Sequence, residues 1–165
     1  MHLSVLDLFS VGIGPSSSHT VGPMRAAARF AAGLTLQGHA DAVCRVRATL
    51  YGSLGATGRG HGSDVAVVLG LLGEKPEDVD TSGVGARIAQ VRASRRLLLA
   101  GAREIDFDVE NDVLLLGRTI LPRHPNGMIF EAFDGDGRLL TSAEMYSIGG
   151  GFIVSADDAE ESTEH

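Results

Sequence analysis

The order of apolar and polar positions predicts helices in the first half of the chain and paired strands in the second. A short helix is predicted over Ser4–Phe9, with Ser4 as its cap. A longer helix is predicted to begin at Pro23 and to end at Gly33, because alanines fill one side and Arg25 and Arg29 another. The first half should therefore carry a helical layer.

The clearest alternation lies in Cys44–Tyr51, where every second residue is apolar, and this pattern predicts a half-buried strand. Gly52–Asp64 has five glycines in its first eleven residues and is interpreted as a loop that approaches another group closely. A buried helix over Val65–Leu72 and an amphipathic helix over Val84–Leu99 are predicted after it.

The second half is predicted to form antiparallel hairpins. One pairs Glu104–Val109 with Val113–Leu116, and the other pairs Met128–Phe133 with Arg138–Tyr146. The glycine-rich Ile148–Phe152 shows no evident role as a turn. The predicted fold class is α+β, with helices packed on one face of a mostly antiparallel sheet.

Composition narrows the possible functions. A chain of 165 residues that is 44% hydrophobic is expected to form one globular domain. Its net charge of −7 argues against nucleic acid and anionic membranes as partners. Cys44 is the only cysteine, so the chain has no internal disulfide and too few thiolates for an iron-sulfur cluster or a structural zinc site. Without a signal peptide or an apolar membrane span, a soluble cytoplasmic protein is expected.

The densest group of polar side chains lies in Gly12–Thr20, immediately before the long helix. Its glycines and Pro15 make the loop sharply bent and stiff, and the start of a helix attracts a carboxylate or a phosphate. A single hydroxyl in this place would be read as a helix cap, but the run exceeds what a cap needs. The candidate ligands are Ser16, Ser17, Ser18 and Thr20.

Histidines in three loops are candidates for proton transfer, because an imidazole titrates near neutral pH. They are His19, His61 and His124. Each one alone also fits a surface or capping role, and their spacing does not show whether they converge. A three-histidine zinc site lacks helical i, i+4 spacing, and a serine hydrolase lacks the Gly-x-Ser-x-Gly turn.

Five segments together carry a resemblance to a known family. They are Val11–Met24, Tyr51–Leu54, Gly58–Asp64, His124–Met128 and Tyr146–Phe152. In this order they resemble the β domain, or amino-terminal part, of bacterial iron-sulfur L-serine dehydratases, also called L-serine ammonia-lyases. Ser63 stands where threonine is common in the family, and Arg59 where lysine is common.

The resemblance implies an enzyme that converts L-serine to pyruvate and ammonia without pyridoxal phosphate. It implies a [4Fe-4S] cluster that is bound by cysteines of a separate α domain, so that this chain alone is inactive and carries no cofactor. A homodimer is expected. Residues 1–154 would form the β domain and residues 155–165 an acidic linker or tail. The implied fold is similar to the allosteric substrate-binding domain of some 3-phosphoglycerate dehydrogenases.

The resemblance also suggests roles for individual residues. The three histidines would transfer protons, and the hydroxyls of the first loop would bind the serine carboxylate. Further substrate-binding candidates are Asp64, Asn126, Gly127, Gly149 and Gly150. The alternative is a regulatory module that binds serine or another small carboxylate and does no chemistry.

Overall fold

A computed structural model describes residues 17–79, 81–149 and 151–156, with the backbone alone for residues 17, 18, 57–61 and 81. A π-helical turn, Ser17–Val21, comes first. The α-helices are α1 Gly22–Leu36, α2 Gly52–His61, α3 Ser63–Leu71, α4 Val84–Ser94 and α5 Val109–Asp112. The strands are β1 Arg45–Tyr51, β2 Arg96–Leu99, β3 Arg103–Asp106, β4 Val113–Leu116, β5 Gly127–Phe133, β6 Leu139–Ser147 and β7 Ile153–Ser155. A short 3₁₀ turn, Thr81–Gly83, precedes α4. The predicted helix at Ser4–Phe9 lies outside the described residues.

The strands form one mixed sheet in the order β2-β3-β1-β5-β6-β7, and β4 also pairs with β1. Four of the pairings are antiparallel, and β3 and β4 each run parallel to β1. The predicted hairpin of β5 and β6 is confirmed, with Met128 opposite Met145 and Phe130 opposite Ala143. The predicted α+β class is therefore correct for the described part of the chain.

The core lies between the helices and one face of the sheet. Val46, Ala48 and Leu50 of β1 are fully buried, which confirms the face predicted from the alternation. Phe30 of α1 stacks on Phe130 of β5, with ring centroids 5.5 Å apart. Among the described residues, no helix combines the length and apolar character that crossing a bilayer requires.

Helix α1 does not end at Gly33, as predicted, but continues to Leu36. Leu34 is 1% exposed, so the core stabilises the extra turn, and this outweighs the cost of about 1 kcal/mol for a glycine inside a helix. Gly38 follows the end of the helix, and its φ of +79° suits the left-handed residue after a helix. The amide of His39 then donates to the carbonyl oxygen of Leu34 at 2.8 Å.

The glycine-rich stretch predicted as a loop is helix α2. Its glycines allow close packing: a β carbon at Gly55 would lie 2.6 Å from the carbonyl oxygen of Leu50 and 2.7 Å from the amide nitrogen of Gly117. The sequence indicated close approach to another group, and that group is the protein's own backbone. The helix that follows was placed correctly, within one or two residues at its ends.

The predicted helix over Val84–Leu99 is wrong in its last third. Helix α4 ends at Ser94, and Arg95 has a left-handed φ of 55°. Strand β2 then begins, with Leu97 and Leu99 buried and Leu98 46% exposed. This alternation has the period of a strand, and pairing with β3 stabilises it.

The predicted hairpin of β3 and β4 is also wrong. Helix α5 separates them, and both strands lie along the same edge of β1 in the same direction. Asp108 caps α5 by accepting the amide of Glu110 at 3.1 Å. Asp112, at the end of α5, is fully buried and accepts the amide of Asp108 at 2.8 Å, with Arg45 at 3.6 Å from its other oxygen. The buried side chain of Asp112 thus holds the backbone of Asp108 at the junction between the two strands.

Asp112→Asn is expected to raise the free energy of unfolding at neutral pH. Burial raises the pKa of Asp112 above its ordinary value of 3.8. The protonated side chain therefore adds to the free energy of unfolding below pH 3.8, and this addition is lost as the pH rises through the raised pKa. Asparagine keeps the acceptor for the amide of Asp108 and does not ionise. Urea unfolding at a series of pH values measures the difference, which should grow with pH.

Asp108→Asn is the matched control, and its expected change in the free energy of unfolding has the opposite sign. Hydrogen bonds from Asn111 and from the amide of Glu110 lower the pKa of Asp108. Its contribution is therefore present above the ordinary pKa and is lost as the pH falls, so this variant should lose stability at neutral pH. Equal pH dependence in both variants would contradict the account of the junction.

Candidate functional site

The loop that carries His124 lies at the edge of the sheet where β1 and β6 end and β5 begins. Asn126 joins the start of β5 to the start of α2, directly after β1, and to the end of β6. Its side-chain oxygen accepts the hydroxyl of Ser53, and its side-chain nitrogen donates to the carbonyl oxygen of Ser147 at 3.3 Å. Its backbone oxygen accepts the amide of Ser147 at 3.0 Å. Asn126 thus fixes the loop against the ends of β1 and β6.

His124 is held by the same loop. Its Nδ1 accepts the backbone amide of Asn126 at 3.0 Å, and its side chain is half-buried. The carbonyl oxygen of Pro125 accepts the amide of Ser53 at 3.2 Å. A β carbon at Gly52 would overlap this carbonyl group, so the loop packs directly on the start of α2.

Helix α2 connects the His124 loop to the His19 turn. It begins at Gly52 beside Pro125 and extends about 15 Å to His61, given 1.5 Å per residue. Two residues later, the hydroxyl of Ser63 donates to the backbone carbonyl of His19. The glycine-rich helix therefore places the backbones of His61 and His19 near each other, while the side chain of His61 lies outside the described residues.

The π-helical turn of His19 continues directly into α1. The helix predicted to begin at Pro23 begins one residue earlier, at Gly22, and the turn extends the helical backbone to Ser17. Thr20 is 1% exposed, so its hydroxyl faces the protein interior. Turns of this type are rare and occur often at functional sites.

Gly22 closes a ring of contacts. A β carbon there would overlap the hydroxyl of Ser147 and lie 2.9 Å from its β carbon. We call these contacts the contact ring. On one side it passes from Asn126 to Ser53, along α2 to Ser63, and on to the His19 turn. On the other side Gly22, directly after that turn, contacts Ser147, which bonds Asn126. Segments far apart in the chain are therefore neighbours at one end of the sheet.

The glycine-rich segment after β6 is a turn, which corrects the sequence interpretation. It joins β6 to β7. The amide of Ile148 donates to the carbonyl oxygen of Phe152 at 3.1 Å, and the amide of Phe152 donates to the carbonyl oxygen of Gly149 at 3.1 Å. Arg25 of α1 donates to the carbonyl of Gly151 at 2.8 Å and pairs with Glu77. Arg25 thus anchors the turn to the helix that leaves the His19 turn.

Asp64 points toward a different part of the protein. Its carboxylate accepts the amide of Val65 at 2.9 Å and lies 3.7 Å from Nη2 of Arg92 in α4. Both side chains line a cavity of about 210 Å³ next to α5 and β4. These contacts identify an ion pair between α3 and α4.

The other predicted residues are placed as follows. Ser16 and Gly150 lie outside the described residues, and Ser17 and Ser18 are described by their backbone alone. Gly127 is the first residue of β5, and Gly149 is in the β6–β7 turn. Ser53 and Ser147 were not predicted, although both lie in segments that carry the family resemblance.

Two tyrosines lie on the sheet face opposite the core. The hydroxyl of Tyr146 donates to Glu144 at 2.8 Å, and burial, with this hydrogen bond, raises the pKa of Tyr146 to about 12. Burial also raises the pKa of Tyr51, and the charges of Glu131 and Glu144 add to the shift. Both phenols stay protonated at neutral pH, so neither serves as a phenolate base.

The residues of this chain do not fit an iron-sulfur cluster. Such a cluster needs several thiolates, and Cys44 is the only cysteine. It lies just before β1, while the contact ring lies at the far end of that strand, about 25 Å away at about 3.3 Å per residue. Within the described ranges, no three or more histidine, cysteine or acidic side chains form a group that could hold a metal.

The sequence matches a known family and several curated proteins over most of its length. The family described as serine dehydratase beta chain matches residues 4–158. The L-serine dehydratase of Streptomyces coelicolor is 50% identical over 157 residues, which are 95% of this chain and 34% of that protein. That of Mycobacterium tuberculosis is 46% identical over 100% of this chain and 36% of its own length. L-serine dehydratase 1 of Escherichia coli is 46% identical over 94% of this chain and 34% of its own length.

The chain thus spans about a third of the length of the curated relatives it matches. The matched range includes the His19 turn, α2, the His124 loop and the β6–β7 turn, which are the parts that form the contact ring. The chain belongs to the serine dehydratase beta chain family.

Proposed function

We propose that this chain is the substrate-binding and proton-transfer β domain of an iron-sulfur L-serine dehydratase that works without pyridoxal phosphate. Relatives named L-serine dehydratase support the reaction, and about two thirds of their length lies outside the match. In this proposal that remainder includes the α domain with the cluster ligands, and the chain alone is inactive.

The contact ring is the observation that carries the proposal. Dehydration of serine removes a weakly acidic proton from Cα and the hydroxyl from Cβ, and the resulting aminoacrylate becomes pyruvate and ammonia on tautomerisation and hydrolysis. Such a reaction needs a group that binds the carboxylate and groups that move protons. The His19 turn and the His61 and His124 segments are the candidates, and hydrogen bonds of Ser63 and Ser53 attach the first and last of them to the two ends of α2.

This chain's part in the reaction is binding and proton transfer. The hydroxyls at Ser16–Ser18 and the helical backbone after them are proposed to receive the carboxylate. His19 and His61 are the proposed proton-transfer groups, and His124 completes the proposed site.

Exposed apolar side chains beside the ring support a missing partner. Ile148 is 49% exposed and Phe152 67% exposed in the β6–β7 turn, and Ile120 is 66% exposed in the connector before the His124 loop. Large apolar side chains that flank a polar site are typical of a surface covered by another domain. We propose that the α domain covers this surface and closes the site.

Reconstitution tests the proposal. The chain alone is expected to form no pyruvate from L-serine, and mixing it with an α domain from a relative under anaerobic conditions should start the reaction. The α domain alone is the control. If the α domain alone were fully active at saturating serine, and the chain changed only the serine concentration required, a regulatory module would replace the catalytic proposal.

A further inference from the structure

We infer that His124 acts as a neutral hydrogen-bond donor through Nε2, and that Ser53, Asn126 and Ser147 are positioning residues that hold it in this state. The inference deepens the proposed function and rests on it. It removes His124 from the candidates for the base that takes the Cα proton.

The tautomer follows from one hydrogen bond. A backbone amide can only donate, so Nδ1 of His124, 3.0 Å from the amide nitrogen of Asn126, must be the bare nitrogen of the ring. The hydrogen of the neutral imidazole is then on Nε2. A proton on Nδ1 would face the amide proton of Asn126 and break this bond.

The backbone amide of Asn126 keeps its direction toward His124, because hydrogen bonds hold both the side chain and the backbone of Asn126. Its side-chain oxygen accepts from Ser53, and its side-chain nitrogen and backbone oxygen bond the backbone of Ser147. Ser147 is fully buried and Ser53 is half-buried, so water does not readily replace these bonds. Both polar atoms of the Asn126 side chain therefore make hydrogen bonds within the protein, and its role is to position His124.

The chemistry of His124 follows from its tautomer. A neutral imidazole takes a proton on its bare nitrogen, and here that nitrogen is covered by the amide of Asn126. Nε2–H has no hydrogen-bond partner within the described part of the chain. It is therefore available to an oxygen acceptor, and the carboxylate or the β-hydroxyl of a hydroxy amino acid supplies one. The base must then be another group, for which His19 and His61 are the candidates.

Nitrogen NMR of the 165-residue chain tests the tautomer directly. Two-bond proton–nitrogen correlation of the imidazole rings should show Nδ1 of His124 unprotonated and Nε2 protonated at neutral pH. The His124→Gln spectrum assigns the resonances. A ring with the hydrogen on Nδ1, or a mixture of both forms, would overturn the inference.

Activity of the reconstituted complex gives a second test. The side-chain amide of glutamine can place an N–H near the position of Nε2–H but cannot act as a base. His124→Gln should retain kcat within about tenfold of the wild type, a loss of roughly 1.4 kcal/mol. His124→Ala should lose more, and the fall of kcat at acid pH should persist in His124→Gln. Equal inactivity of both variants, with the folded spectrum retained, would contradict a donor role.

The two tests separate this inference from the proposed function. The NMR experiment needs no activity, so the tautomer can be found as inferred in a complex that never dehydrates serine. That result would remove the proposed function and leave the His124 geometry standing. An active complex with the hydrogen of His124 on Nδ1 would leave the proposed function standing and overturn the inference about His124.

Discussion

Gly52→Ala is expected to lower the free energy of unfolding by about 2–5 kcal/mol, the largest stability effect we expect from one methyl group in this chain. Gly52 has a φ of +56°, which L side chains rarely adopt. Its new β carbon would also overlap the carbonyl oxygen of Pro125, and that backbone cannot move without displacing the His124 loop. The strain therefore falls on both α2 and the contact ring.

Urea unfolding of the chain measures the effect, and Gly33→Ala is the matched control. Gly33 lies inside α1 with no atom within 4 Å of the position of its β carbon. Alanine there should stabilise the protein by about 0.5–1 kcal/mol, because the helix loses less backbone entropy on folding. If the two variants had the same stability, the close packing of Gly52 on Pro125 would be wrong.

His61→Ala is expected to lower kcat of the reconstituted complex by about 10²–10⁴-fold, the usual range for the loss of a general acid or base. The backbone of His61 ends α2, two residues before the hydroxyl that binds the His19 carbonyl. With Nδ1 of His124 covered, His19 and His61 are the histidines that we propose for the proton transfer. The variant should still bind the α domain, because the proposed docking surface is formed by Ile120, Ile148 and Phe152.

His39→Ala is the control for this prediction. His39 follows α1 and precedes β1, so it lies at the end of the sheet opposite the contact ring. Its loss should leave kcat and the dependence on serine unchanged. A His61→Ala complex that kept its maximal rate and only required more serine would favour the regulatory alternative.

The sequence predicted the elements whose stability comes from local pattern. Alternation in β1 predicted its last residue and its buried face correctly and its start within one residue, and the Asp-Gly turn between β5 and β6 identified their hairpin. Such features depend on a period of two and on turn residues, and both can be read within ten residues. The motifs that carry the family resemblance are likewise short segments of the sequence.

The errors share one cause, which is that the deciding contacts are distant in the chain. The many glycines of α2 predict a loop, whereas in the structure they allow a helix to pack against Gly117 and Pro125. β2 was taken for the end of a helix because Leu97–Leu99 fits both periods, and only pairing with β3 selects the strand.

The candidate site divides in the same way. The sequence by itself determined which side chains are present: the hydroxyl-rich turn, the three histidines, and one cysteine where a cluster needs several. Only the tertiary structure decided which of them meet and in which chemical state. Ser53, Asn126 and Ser147 are separated by 73 and 21 positions, yet their hydrogen bonds fix one loop and leave one nitrogen of His124 able to donate. A hydrogen bond depends on the distance and direction between two groups in space, and the spacing of residues along a chain specifies neither.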